Sequence, residues 1–298
     1  MKVFLTGGTG FVGSEVLRQL TAAGHAVRCL VRRGSEGKLA VRENVEIRHG
    51  DVTEAATLAG ALEGCEAVIH LVGIIREYPS RGITFAQMHT AATRNVVAAA
   101  RAQGVRRYLQ MSANGSRENA ATAYHRTKWE AEETVRSSGL AWTIFRPSLI
   151  FGPKDEFVNM LAGMIRNLPV VPVLGDGRYR MSPVAVEEVA AGFVRALEKP
   201  ETAGRTFHCC GPAHHSYDEL LDLVGAALGR SHIPKLHHPL FLMKPMIAML
   251  EAIPQFPVTS EQLTMLLEGN VCDPQEWSAA FGITPVPFAE GIGRYLKG

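Results

Sequence analysis

A chain of 298 residues that is 46% hydrophobic and 20% charged has material for one large domain or two smaller ones, and is neither disordered nor fibrous. Its formal charge of +2, with no basic cluster beyond pairs such as Arg32-Arg33 and Arg106-Arg107, offers nothing to a nucleic acid. The first strand begins without a charged-then-apolar leader, no apolar run reaches the roughly eighteen residues of a membrane span, and five cysteines without a C-x-x-C pair fit a reducing compartment. A cytoplasmic location is the expectation. The histidines, though paired at 214–215 and 237–238, show no metal-ligand spacing, so no metal site is expected.

Lys2 to Thr6 reads as a strand that runs straight into Gly7-Gly8-Thr9-Gly10-Phe11-Val12-Gly13. A helical pattern follows at once, with Val12, Val16, Leu17 and Leu20 on one face. Strand, glycine turn and helix form the setting in which a pyrophosphate meets backbone N–H groups at a helix N-terminus. In that setting Gly7 allows the tight turn, Gly10 the close approach, and Gly13 lets the helix lie against the sheet. The spacing is G-x-x-G-x-x-G. Further strands are predicted at 25–31, 45–48, 67–72, 107–112 and 141–146, with helices at 53–62, 85–103 and 121–138 between them. Six alternating strands imply an α/β fold, a Rossmann-type doubly wound parallel sheet over residues 1–150.

Ligands of such sheets lie outside the carboxyl ends of the strands. That rule selects the turn at residues 7–13, Arg32-Arg33, Asp51, then Leu71, Val72 and Gly73, Ser112, and finally Arg146, Pro147 and Ser148. An NAD site would place an acid after the second strand, bonded to the ribose hydroxyls. Here Arg32 and Arg33 stand in that place, and their guanidinium forks suit a 2′-phosphate, so NADP(H) is favoured over NAD(H). The alternative is two solvated arginines in a loop. Asp51 either accepts a bond from the adenine amino group or caps the segment that starts at Thr53.

In Tyr124-His125-Arg126-Thr127-Lys128 one helical turn puts tyrosine and lysine on the same face. A free tyrosine has a pKa of about 10. A neighbouring ammonium and an oxidised nicotinamide would both favour the phenolate. Ser112, at the end of the preceding strand, would then hold the substrate oxygen while Tyr124 takes or gives its proton.

TGGTGFVG at 6–13, GDV at 50–52, SANG at 112–115, YHRTK at 124–128 and RPSLIFGP at 146–153 together resemble an extended or atypical short-chain dehydrogenase/reductase, an NAD(P)-dependent epimerase/dehydratase-like protein. The resemblance covers nearly the whole chain. It implies Ser112, Tyr124 and Lys128 as the catalytic triad, Lys128 as a cofactor contact too, and Asp51 and Val52 beside the nucleotide. It also implies that residues 183–198 return to the nucleotide domain as a helix. HLVGIIRE at 70–77 and SEQLTMLLEGN at 260–270 look most like the branch containing the large nucleotide-binding accessory subunit of respiratory complex I, whose similar members bind NADPH.

Residues 151–298 then form a smaller, discontinuous substrate-capping domain. Asp155 is expected to cap a helix through Ile165, Gly175-Asp176-Gly177 to turn, and Ser216 to cap a helix to Leu228. The stretch at 239–253 (PLFLMKPMIAMLEAI) is the most apolar in the chain. It is either a helix over the core, a greasy cap over a hydrophobic substrate, or a surface for a membrane or an electron-transport complex. Three functions fit: a reductase or dehydrogenase acting on a small-molecule carbonyl or alcohol, a sugar-nucleotide epimerase or dehydratase, and a non-catalytic dinucleotide-binding accessory protein. Helices at 84–103 and 121–138 offer a homodimer face.

Overall fold

The computed structural model describes residues 1–251, 253, 256 and 258–296, so Ala252 of the apolar stretch lies outside the described residues. Two compact units are present. The first holds residues 1–147, 186–209 and 275–283, and the second holds 148–185, 210–274 and 284–298.

In the first unit, β1 (Lys2–Thr6), β2 (Ala26–Val31), β3 (Val45–His49), β4 (Ala67–His70), β5 (Arg107–Met111), β6 (Ala141–Pro147) and a seventh strand, Arg205–Cys209, form one parallel sheet. The order is seventh strand, β6, β5, β4, β1, β2, β3. From β1 the chain winds outward through β2 and β3, then crosses to β4 on the other side. The carboxyl ends of β1 and β4 therefore flank the switch point, where such sheets take ligands. Six strands were expected in this sheet. The seventh, Arg205–Cys209, is a strand the sequence predicts, but as part of the second domain. Phe207 and Cys209 on that strand are wholly buried, and its backbone pairs with β6 from Arg205↔Thr143 to Cys209↔Pro147.

Helix α1 (Phe11–Ala22) buries Val12, Val16, Leu17 and Leu20, the face its spacing predicts. Helix Val186–Ala196 lies against it, and Gln19 Nε2 donates to the Glu187 carbonyl at 2.9 Å. Phe145 of β6 packs its ring against Phe193, Phe207 and Phe281, with centroids 4.3, 6.1 and 5.3 Å away.

Two expected helices differ. No α-helix forms over 53–62, only a 3₁₀ turn at Ala55–Leu58. The Thr57 hydroxyl donates to the Asp51 carbonyl at 2.8 Å and receives the Asp51 amide at 3.0 Å, which holds the backbone in a turn. The helix expected over 85–103 begins as a π-helical turn, Ala86–Ala91, before α2 (Ala92–Ala102) takes over. Helix α3 (Ala123–Arg136) starts at Thr122, whose hydroxyl accepts the His125 amide.

The second unit has its own core, with Phe151, Leu161, Ile165, Leu220 and Phe288 almost wholly buried. Asp155 caps helix Glu156–Asn167, and Ser216 with Glu219 forms a capping box on helix Tyr217–Ala227. Strands Val171–Leu174 and Lys235–His238 pair in parallel. Cys210 and Cys272 are joined as a disulfide, a pairing that spacing did not reveal, while Cys29, Cys65 and Cys209 are free and buried.

Replacing Phe145 with alanine empties the centre of the aromatic cluster and should lower the unfolding free energy by about 3–5 kcal/mol in a urea titration. A loss below about 1 kcal/mol would contradict the packing described.

Candidate functional site

The turn between β1 and α1 is packed to its limit. Gly7 has φ +79°, and the Gly10 amide donates to the Gly7 carbonyl at 2.9 Å. A Cβ on Gly13 would overlap that carbonyl oxygen and lie 2.9 Å from Gly8 Cα, while a Cβ on Gly10 would sit 3.3 Å from the same oxygen. A Cβ on Gly7 would meet the Leu71–Val72 backbone at 3.1–3.2 Å, so the turn lies against the end of β4. No side chain caps α1 at Gly10, which is exposed, with Thr9 and Phe11 half-buried beside it. The first-turn amides and the positive end of the helix are left for an anion, and the backbone is bare enough for one to approach. A dinucleotide diphosphate fits this cradle.

Around the cradle the other expected residues are distributed unevenly. Arg32 and Arg33 follow β2, are exposed, and have no ion-pair partner among the described residues. Asp51 Oδ1 accepts the Thr53 amide and hydroxyl at 2.9 and 2.8 Å, the local-capping alternative, and Asn95 Nδ2 holds the Val52 carbonyl at 3.0 Å. Pro147 ends β6 and its carbonyl accepts the Asn114 amide. Ser148 falls in the second unit, where its hydroxyl donates to the Asn270 carbonyl at 2.7 Å. That hydroxyl is already engaged.

Lys128 is buried, and its Nζ donates to the Met111 carbonyl at 3.4 Å. A Cβ on Gly73 would lie 2.7 Å from that Nζ. The lysine thus reaches from α3 to the backbone after β4, beside the cradle. Burial pulls its pKa down to about 8, opposed by the Glu132 carboxylate. One turn earlier, Tyr124 stands edge-on to Phe85, His89 and His125, with centroids 5.7, 5.4 and 5.1 Å away. Burial pushes its phenol up to about 12.

Ser112 is turned into the protein. Its hydroxyl donates to Glu132 Oε1, with Ser116 Oγ at 3.2 Å. Glu132 is fully buried and also receives Arg146 through both Nε and Nη2, at 2.8 and 2.6 Å, and Arg136 at 2.6 Å. Breaking one partner of such a buried ionic network costs about 3–5 kcal/mol. Glu132 was not among the expected residues, although it lies four after Lys128 and eight after Tyr124, on the same face of α3. Two histidines were missed as well. His70 ends β4 with Nδ1 2.6 Å from Thr6 Oγ1, and burial together with the Lys128 charge lowers its pKa to about 3. His89 bridges Thr127 Oγ1 and the Ile74 backbone at 2.9 and 3.1 Å, and the same two causes lower it to about 2. A surface concavity of ≈ 540 Å³ lined by Lys2, His25, Arg42 and Glu46 lies at the opposite, amino-terminal end of β1–β3 and takes no part here.

Both histidines are neutral in the folded chain and take up protons near pH 6.5 when unfolded. Below that pH the unfolded state binds more protons, so stability falls as pH drops from about 6.5 toward 3. Each histidine contributes a slope of up to about 1.4 kcal/mol per pH unit in that window. Substitution His70→Asn should flatten the decline measured by urea unfolding across that range, and an unchanged slope would contradict the burial argument.

Residues 3–210 match the NAD dependent epimerase/dehydratase family. Among curated proteins, the chain is 25% identical to the mitochondrial NADH dehydrogenase [ubiquinone] 1 alpha subcomplex subunit 9 of Dictyostelium discoideum, over 73% of this chain and 61% of that one. It is 32% identical to a ceramide reductase of Caulobacter vibrioides, over 66% of this chain and 61% of the relative. The chain thus spans about three-fifths of the length of these relatives. A solved structure of UDP-glucose 4-epimerase from Thermotoga maritima, with UDP-glucose, superposes with a TM-score of 0.78 at 19% identity, covering 100% of this chain and 98% of that one. That likeness speaks for the fold.

Proposed function

Because the chain belongs to the NAD dependent epimerase/dehydratase family, we propose that it is an NAD(P)-dependent oxidoreductase that interconverts a carbonyl and an alcohol on a small molecule. The observation that carries this reading is the buried Lys128 ammonium, brought from the Tyr124 helix to Gly73 beside the glycine cradle. A bound nicotinamide would supply the hydride chemistry and, when oxidised, a positive charge. The chain's own residues supply binding and the proton. Gly7, Gly10 and Gly13 clear the backbone for the diphosphate. Tyr124 moves a proton at its phenol oxygen, and Lys128 favours the phenolate by its charge. At neutral pH a lysine with a pKa of about 8 is mostly protonated, so that charge is present. Burial works against the phenolate, which leaves Tyr124 a proton donor in the dinucleotide-free chain. In this reading Ser112, whose hydroxyl donates a hydrogen bond to Glu132, ties β5 to α3, and the substrate oxygen is held by Tyr124.

Arg32 and Arg33 support NADP(H) over NAD(H). Their two charge-assisted contacts to a 2′-phosphate would each contribute about 1.5–3 kcal/mol. The double variant Arg32→Ala/Arg33→Ala should therefore weaken NADPH at least about tenfold in calorimetry while NADH holds its affinity. Equal loss for both dinucleotides would remove the NADP preference.

Tyr124→Phe tests the chemistry. With NADPH and a panel of aldehydes, ketones and quinones, turnover should fall by about 10²–10⁴ while dinucleotide affinity stays. Undiminished turnover would exclude Tyr124 as the acid. A second reading, a dinucleotide-stabilised accessory protein of an electron-transport assembly, draws on the named relatives and on the raised Tyr124 pKa. It requires that Tyr124→Phe leave the protein's cellular role intact. Turnover of UDP-sugars without net NADPH consumption would instead support an epimerase.

A further inference from the structure

Helix Leu240–Leu250 (LFLMKPMIAML) carries one charged residue, Lys244, and is poorly covered. Ile247 is 1% exposed, and the Leu240 side chain approaches Gly175, so one side of the helix faces the second unit. At about 100° per residue, the opposite side presents Phe241, Pro245, Ala248 and Met249, with Leu242 alongside. Phe241 is 75% exposed, Met249 71% and Leu242 57%. A helix apolar on every side belongs in an interior, and among the described residues nothing covers this side. Leu236, on the strand that leads into the helix, and Val170, just before that strand's partner, are also exposed.

From Leu223 to Leu250 the chain holds Arg230, Lys235 and Lys244 and no Asp or Glu. Among the described residues, the cations on and beside this helix that lack an ion-pair partner are Arg230 and Lys244, both exposed, while the carboxylates against the neighbouring strand, Asp222 and Asp218, are engaged by Lys235 and His237. Glu251, the first carboxylate beyond the helix, accepts the Ser260 amide at 2.6 Å. Lys244 stands at the margin of the exposed side. There its stem can lie along apolar surface while the ammonium reaches a layer of phosphates. A protein partner would need a groove for this convex side and a carboxylate over Lys244. Anionic lipid supplies acyl chains and phosphates together, without a fitted groove.

We propose that helix Leu240–Leu250 docks the chain on an anionic lipid bilayer, with Phe241, Leu242 and Met249 among the upper acyl segments. Eleven residues make a helix about 16 Å long, against about 30 Å of hydrocarbon, so the helix lies in the plane of the interface and does not cross. The inference is independent of the dinucleotide reading.

Co-sedimentation of the full chain with phosphatidylglycerol-containing vesicles and with pure phosphatidylcholine vesicles, at low and high salt, tests it. Wild type should bind the anionic vesicles preferentially. The double variant Phe241→Ser/Met249→Ser should partition about tenfold less or weaker. Lys244→Glu should weaken binding at low salt, with a smaller effect at high salt. Thermal melts followed by circular dichroism establish that each variant folds, and Leu242→Ser provides a separate reading if the double variant does not. Absence of wild-type binding to anionic vesicles would overturn the proposal, as would equal binding by all variants. So would a wild-type dimer that the double variant converts to a monomer, with no vesicle binding, because the face would then belong to a second copy.

Discussion

The contact between Gly13 and the Gly7 carbonyl sets the geometry of the first unit. Helix α1 begins so close to the end of β1 that a single methyl group at residue 13 would overlap backbone. That closeness leaves a bare, uncapped helix end at the sheet's switch point, with the chain after β4 packed against the same turn. The cradle follows from it, and Lys128 of α3 reaches Gly73 on the chain after β4 beside that turn. An alanine at residue 13 would move the helix, and with it the bare helix end where an anion meets backbone amides.

A second constraint is the number of ionisable groups held out of water beside that edge. Lys128 keeps its ammonium in a buried position next to two histidines that stay neutral. Glu132, one turn along α3, is matched by two arginines and the Ser112 hydroxyl. The helix that presents Tyr124 and Lys128 is therefore fixed at both ends of the pair: through His89 and Thr127 toward the loop after β4, and through Glu132 toward β5 and β6. Such networks fix orientation more surely than they add stability, since buried charges lose solvation that their partners only partly return.

Much of this was legible in the sequence because it depends on local rules. The glycine turn, the alternation of strands and helices, the caps at Asp155 and Ser216, and the spacing of Tyr124 and Lys128 are all short-range signals. What escaped notice depends on tertiary neighbours. The seventh strand needed β6 as a partner before its place in the sheet was defined. The segment after Asp51 has helical composition, but side-chain bonds between Thr57 and Asp51 win over propensity. Nothing in the spacing marks His89 as a bridge, because a π-helical turn sets its direction. Ser112 was expected to hold a substrate oxygen, and its hydroxyl donates a hydrogen bond to a carboxylate twenty residues downstream.

The most direct test of the central claim is calorimetric titration of the intact chain with NADPH, NADP⁺, NADH and NAD⁺, beside the variant Gly13→Val. The cradle predicts saturable binding of at least one of the four to the parent chain, tightest for those with the 2′-phosphate, and none to the variant. No heat from any of the four, or affinity unaltered by valine at residue 13, would contradict it.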